Sequence, residues 1–179
     1  MGTKEKVFYS RPGEDRLQKE IDTYEVLERL EIPFTGTDHE AAMTMEDLQA
    51  AEEALNVKIS KDLFLCNSSK SKFYMLIMPG GKKFLTKNLS SQINSSRLSF
   101  ADGSYMEELL NITPGSLSVF GLMYDSENRV SLIIDEDVLG GEYFGCHPCV
   151  NTSTVRVKTE DILNKFLPYT GHQPVIVRL

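Results

Sequence analysis

Leu17, Ile21, Tyr24, Leu27 and Leu30 recur at the three-to-four-residue spacing of a single helix face, which predicts an amphipathic helix over 13–31. Ile32-Pro33-Phe34 ends it and opens an extended piece. Thr44 and Asp47 have the spacing of a capping box, with Met43 and Leu48 placed as an apolar staple, so a second helix is expected to run to about Leu55. Strand-like runs at 62–67 and 72–78 flank the polar turn Ser68-Ser69-Lys70-Ser71 and predict a hairpin. Pro79-Gly80-Gly81 punctuates the chain, after which 83–86 is expected to continue the sheet. A short helix is expected at 89–94, a strand at 98–100 and a helix at 104–110. The runs 117–124 and 130–135 around Asp125-Ser126-Glu127-Asn128 suggest a second hairpin. A strand at 152–157, a helix capped by Thr159 running to Leu167, and a closing strand at 175–179 complete the pattern. Strands crowd the middle and helices bracket them. The expected fold is mixed α/β, with a central, largely antiparallel, barrel-like sheet flanked by helices.

At 179 residues the chain has the size of one domain with a full core, and neither repeats nor linkers divide it. Residues 1–33 read as a helical segment packed on a body of 34–179. No apolar run reaches membrane-spanning length, and 1–10 lacks a signal-peptide apolar region. Cys66, Cys146 and Cys149 are an odd set without framework spacing, which suits a reducing compartment. A soluble, cytoplasmic protein is expected.

Charge changes this picture. The net charge is −7, yet 58–97 holds Lys58, Lys61, Lys70, Lys72, Lys82, Lys83, Lys87 and Arg97 against Asp62 alone. That block is +7 and the remainder −14. Such asymmetry suits a polyanion-binding face on an acidic body, although lysines also guard sheet edges.

Candidate chemistry centres on Thr113-Pro114-Gly115-Ser116-Leu117-Ser118-Val119-Phe120. Gly115 lets bare backbone approach a ligand, and the amides of 116–118 can hold a carbonyl oxygen without a charged side chain. Lys61 stands at the mouth of a strand, where it reads equally as a solvated strand end. His147 sits in a Gly-Cys-His-Pro turn, where it reads equally as a hydrogen-bonded loop histidine. Cys146-His147-Pro148-Cys149 fits no zinc spacing, so neither metal nor cofactor is expected. Phosphate-loop, dinucleotide-binding, nucleophile-elbow and His-Glu-x-x-His signatures are absent.

Several segments together resemble one family. They are Ile59-Ser60-Lys61-Asp62-Leu63-Phe64-Leu65, Lys72-Phe73-Tyr74-Met75-Leu76, Arg97-Leu98-Ser99-Phe100-Ala101, Thr113-Pro114-Gly115, Phe120-Gly121-Leu122, His147-Pro148, Asn151-Thr152 and Phe166-Leu167. Their order and spacing resemble the YbaK/prolyl-tRNA synthetase-associated family of aminoacyl-tRNA deacylases, nearest its free-standing, PrdX-type alanyl-tRNA(Pro) deacylases. The resemblance implies a trans-editing hydrolase that removes alanine from mischarged tRNA(Pro), with cysteinyl-tRNA(Pro) hydrolysis or a non-catalytic tRNA- or synthetase-binding role as alternatives. It places on Lys61 the family lysine that contacts the phosphate or ribose of the terminal adenosine. It places the family's Gly-x-x-x-Pro loop on Gly115 to Val119, the histidine of the His-Pro turn on His147, and the arginine that reads the acceptor stem on Arg97. Its implied partners are the tRNA(Pro) acceptor stem and prolyl-tRNA synthetase, without membrane or DNA. In this reading Gly115 and its amides orient the ester with Lys61, while His147 is a positioning group with a base role open. Ser116, Leu117, Ser118, Val119, Phe120 and Met43 contact the aminoacyl group, and Lys70, Lys72, Lys82, Lys83 and Lys87 join Arg97 along the RNA. Val119 departs from the family's proline, which frees φ and adds one N–H to the loop.

Overall fold

A computed structural model of the chain describes residues 6–13 and 15–179. Its elements run β1 (Val7–Phe8), α1 (Gln18–Arg29), β2 (Phe34–Asp38), a 3-10 turn at Glu46–Leu48 leading into α2 (Gln49–Leu55), β3 (Ser60–Cys66), β4 (Phe73–Pro79), α3 (Thr86–Gln92), β5 (Ser99–Phe100) and α4 (Gly103–Leu110). A 3-10 segment at Val119–Tyr124, β6 (Val130–Asp135), α5 (Glu136–Leu139), β7 (Tyr143–Cys146) and β8 (Ser153–Lys158) follow. The last helical rod joins α6 (Thr159–Asp161), a π turn at Ile162–Phe166 and α7 (Leu167–Thr170), before β9 (Val175–Val177). The first five residues and Glu14, which fall partly in the helix expected over 13–31, lie outside the described residues.

The strands form two sheets. One is antiparallel, in the order β1-β2-β8-β7. The other is mixed, in the order β5-β3-β4-β6-β9, with β4, β6 and β9 parallel. The expected α/β class holds, but the sheets do not close into a barrel. Between β3 and β7 there is one isolated bridge, Ile59 to Gly145. Backbones approach so closely there that a Cβ on Gly145 would sit 3.0 Å from Val57 and 3.1 Å from the Lys58 carbonyl.

The main core lies between the helices and both sheets. Tyr24 and Leu27 of α1 are fully buried in it, with Phe64, Met75, Phe120, Val155 and Phe166. Tyr24 stacks on Phe34 at 5.3 Å, so the N-terminal helix shares the core of the body instead of covering it. The Thr44–Asp47 box forms: Asp47 accepts from the Met43 and Thr44 amides at 2.9 Å, and its own amide donates to Thr44 Oγ at 3.3 Å. The expected staple does not, because Met43 is 72% exposed while Leu48 is buried.

Two expected strands are absent. Residues 83–85 are coil leading into α3. The run expected as a strand at 117–124 is the 3-10 segment, started by Ser118, whose hydroxyl accepts from the Phe120 amide at 3.2 Å. Val119, Phe120, Gly121 and Leu122 are consecutive and all buried, so they carry no alternation to distinguish strand from helix. Consequently β6 has no hairpin partner there and pairs in parallel with β4.

Asp125 pins the entry to β6. Its carboxylate accepts from the Arg129 and Val130 amides at 2.9 and 2.8 Å and from His172 Nε2 at 2.8 Å, all in a buried site. Asp125→Ala leaves three donors without a partner, and we expect a loss of about 3 kcal/mol in urea unfolding. A loss below about 1 kcal/mol would show that water replaces the carboxylate.

Candidate active site

Beside the Ile59–Gly145 bridge the two sheets diverge, and a cavity of about 350 Å³ opens between them. One wall is β3, from Ser60 to Phe64, and another is the end of β7 with Cys146 and His147. The loop before α2 supplies Met43, Thr44 and Met45, and the turn after α4 supplies Gly115 and Leu117. The β3 edge is available for this because β5 pairs only with Leu65 and Cys66, leaving residues 60–64 unpaired by a strand on that side. Lys61, Gly115 and His147, far apart in sequence, therefore line one space, with Met43 and Leu117 beside them.

Each of these groups is held. Gly115 has φ of +92°, a backbone conformation that side chains rarely adopt. Ser116 donates its amide to the Thr113 carbonyl at 3.1 Å and closes the turn, so that amide is not free for a ligand. The amides of Leu117 and Ser118 have no intramolecular acceptor among the described residues. Ser116, Ser118, Val119 and Phe120 are buried and are not cavity walls. Lys61 Nζ reaches across to the Lys82 carbonyl at 2.5 Å.

His147 Nδ1 lies 2.8 Å from the Ser153 carbonyl, an acceptor only. Nδ1 must therefore carry the proton, which leaves Nε2 as an acceptor. Burial pushes the imidazole pKa down, with the Ser153 carbonyl partly opposing, so the ring is neutral around pH 7. The Ser153 position is fixed in turn by a polar network. Arg16 grips Asp38 with two hydrogen bonds, at 2.9 and 2.6 Å, and pairs with Glu20, while the Ser153 hydroxyl donates to Asp38. The Arg16 hydrogen bonds hold the Asp38 carboxyl below the usual range. The N-terminal helix thus supports His147 through β2 and β8.

Asp62 is the site residue that sequence reasoning missed. It entered only as the lone acid of the basic block, yet its carboxyl lines the cavity. Its surface is partly accessible, but into the cavity, and burial raises its pKa to about 7 despite a 2.8 Å hydrogen bond from Ser60. Cys146 also faces this space, its thiol held neutral by burial.

The basic residues divide. Lys82 is an internal tie, bonded to Asp135 at 2.6 Å, Asp137 at 2.7 Å and the Leu179 carbonyl at 2.9 Å, and is not free for RNA. Lys70, Lys72, Lys83, Lys87 and Arg97 are exposed and without ion pairs among the described residues. Ser96 bonds Ser68 at 3.0 Å, which draws Arg97 toward the hairpin tip bearing Lys70. Phe84 meets Phe100 edge-on at 6.4 Å, and Phe100, 65% exposed, lines the cavity rim. Among the described residues no three His, Cys, Asp or Glu side chains converge as a metal site.

Fold and site together define a two-sheet α/β domain whose inter-sheet cavity combines a glycine turn, a lysine, a neutral histidine and a carboxyl. The profile of the aminoacyl-tRNA editing domain family matches residues 39–165, and the chain belongs to that family. It is 29% identical over 146 residues to the prolyl-tRNA editing protein ProX of Acetoanaerobium sticklandii, covering 82% of this chain and 88% of that one. It is 28% identical over 163 residues to the prolyl-tRNA synthetase associated domain-containing protein 1 of Danio rerio, covering 90% and 86%. A solved structure described as a proposed trans-editing enzyme for prolyl tRNA synthetase shares the fold, with a TM-score of 0.66 and 14% identity over 92% of this chain and 99% of that one.

The pKa of Asp62 has a stability consequence. A carboxyl that titrates near 7 when folded and near 4 when unfolded opposes folding increasingly from pH 4 to 7, and fully above that. The melting-temperature advantage of Asp62→Asn over wild type should therefore grow across this range and level off above pH 7. A pH-independent difference would count against a cavity-buried carboxylate.

Proposed function

We propose that this protein is a trans-editing deacylase that hydrolyses alanyl-tRNA(Pro). The convergence of Lys61, Gly115 and His147 on one cavity between the sheets carries this reading. Family membership supports the reaction class, and the names of the relatives support prolyl-tRNA as the context.

An aminoacyl ester is already activated, so orientation supplies much of the rate. Lys61 pins the phosphate next to the terminal ribose as a point charge, exchanging its contact with the Lys82 carbonyl for the ligand. The turn at Gly115 offers the Leu117 amide to the ester oxygen as charge develops there. Water attacks the carbonyl carbon; the proton it loses passes to the leaving ribose oxygen, by way of His147 Nε2 or relayed through the neighbouring ribose hydroxyl, which gives up its own proton as it accepts one. The ester C–O bond breaks and the ribose oxygen leaves protonated, giving free alanine and uncharged tRNA. Met43, Met45, Met106 and Leu117 bound the space for the side chain, and a larger residue is refused by clash. Arg97, Lys70, Lys72, Lys83 and Lys87 run along the acceptor stem, and the protein works with prolyl-tRNA synthetase in the cytoplasm without a cofactor.

The test is hydrolysis of alanyl-, cysteinyl- and prolyl-tRNA(Pro). Wild type should remove alanine and spare proline, and Lys61→Ala should lose about 10- to 100-fold in kcat/KM, the worth of one charge-assisted contact. Preferential loss of cysteine would move the chain to that specificity, and no turnover would leave a binding module. Because phosphate contacts release counterions, log kcat/KM should fall linearly with log salt, with a shallower slope when Arg97 or Lys70 is replaced by Ala. A slope unchanged by those replacements would remove them from the RNA path.

A further inference from the structure

Four titratable residues line the cavity: Lys61, Asp62, Cys146 and His147. Burial keeps the thiol and the imidazole neutral. Lys61 and Asp62 are consecutive in β3, so their side chains leave the strand on opposite faces. The lysine turns toward the Lys82 carbonyl and makes no ion pair with the aspartate. Asp62 Oδ1 accepts from Ser60 Oγ, and Oδ2 has no partner among the described residues, yet it is not sealed from the cavity space.

A carboxylate in this position is an anion without a counterion. Its charge is costly while the cavity holds only water and apolar walls, and it is compensated when a cation enters. Within the deacylase reading, the substrate brings one such group. The aminoacyl end of a charged tRNA carries an α-ammonium, two bonds from the carbon of the ester carbonyl that the Gly115 turn would hold. The terminal phosphate brings the opposite charge, for which Lys61 is available. The two charges of the substrate thus find their complements on two adjacent residues of one strand.

We propose that Asp62 binds the α-ammonium of the aminoacyl group and makes a free amino group a condition of recognition. N-blocked aminoacyl ends, such as N-acetyl or N-formyl forms, are then refused whatever their side chain. This sets a second axis of specificity, independent of pocket size. Ser60 orients the carboxylate through Oδ1 and leaves Oδ2 for the ligand.

Two measurements separate this proposal from the deacylase reading on which it rests. The first is calorimetric binding of 3′-alanylamino-3′-deoxyadenosine, an amide that resists hydrolysis, and of its N-acetyl derivative. Wild type should prefer the free amine by about 10- to 100-fold. Asp62→Asn and Asp62→Ala should bind both forms alike, while melting no lower than wild type at pH 8. The second is turnover of alanyl-tRNA(Pro) and N-acetyl-alanyl-tRNA(Pro), in which wild type should discriminate by a similar factor and the variants should not. Equal wild-type affinity for both analogues, no affinity for either, or a preference retained in both variants would overturn the proposal. Preferential binding without turnover would leave the ammonium site standing and overturn the deacylase reading. Turnover that ignores N-acetylation would do the reverse.

Discussion

The two sheets come within backbone hydrogen-bonding range at Ile59 and Gly145, and the site depends on the narrowness of that join. Gly145 permits it, since a Cβ there would press on Val57, Ile59 and the Lys58 carbonyl. Had the pairing continued along β3 and β7, the sheets would have formed a continuous wall and the space between them would have filled with side chains. Instead β3 is left with an open edge from Ser60 to Leu63, facing Cys146 and His147 across a gap, and is closed at Phe64, whose carbonyl accepts from the Ala101 amide. An unpaired strand edge is normally a liability. Here it is flanked by the Met43–Met45 loop and the Gly115 turn, so it faces a cavity.

The polar groups around this gap are positioned by layers that do not themselves reach it. Arg16 orders Asp38, Asp38 orders Ser153, and the Ser153 carbonyl fixes the tautomer of His147. On the other side, Lys82 is fixed by Asp135 and Asp137, and its carbonyl receives Lys61. Both chains of contact are well satisfied, which is what a polar network in a low-dielectric interior requires. Asp62 is the exception: burial raises its pKa, and Ser60 is its hydrogen-bond partner among the described residues.

Local signals told most of the helices and the β3–β4 hairpin from the sequence alone. Thr44 and Asp47 marked α2, and the Ser68–Ser71 turn marked the hairpin, because each acts within a few residues of itself. Pairings between distant segments were not legible. Nothing in 130–135 distinguishes a strand parallel to β4 from the second arm of a hairpin, and the buried 119–124 segment has no periodicity to contradict that hairpin. That Lys61, Gly115 and His147 belong to one candidate site was legible only through their resemblance to a family, since each alone has a bland reading. Lys82 looked like surface charge because its partners, Asp135 and Asp137, lie more than fifty residues away. Asp62 was overlooked for the converse reason: a lone acid among lysines reads as a neutralised one, and only tertiary structure shows that no lysine among the described residues reaches it.

Three of the cavity walls are methionines, Met43, Met45 and Met106. Thioether side chains are unbranched and change rotamer easily, so they yield where valine or isoleucine would hold. A boundary of this kind refuses a bulky guest gradually, with strain rising as each chain bends aside, not at a fixed radius. Sharp discrimination must then come from the points that cannot give: the Gly115 backbone, Leu117 and the ring of His147. The division also decouples two demands that most enclosed sites share. The compliant sulfur walls belong largely to a loop outside the main core, so the size limit can drift through single exchanges there while the packing that keeps the protein folded stays as it is.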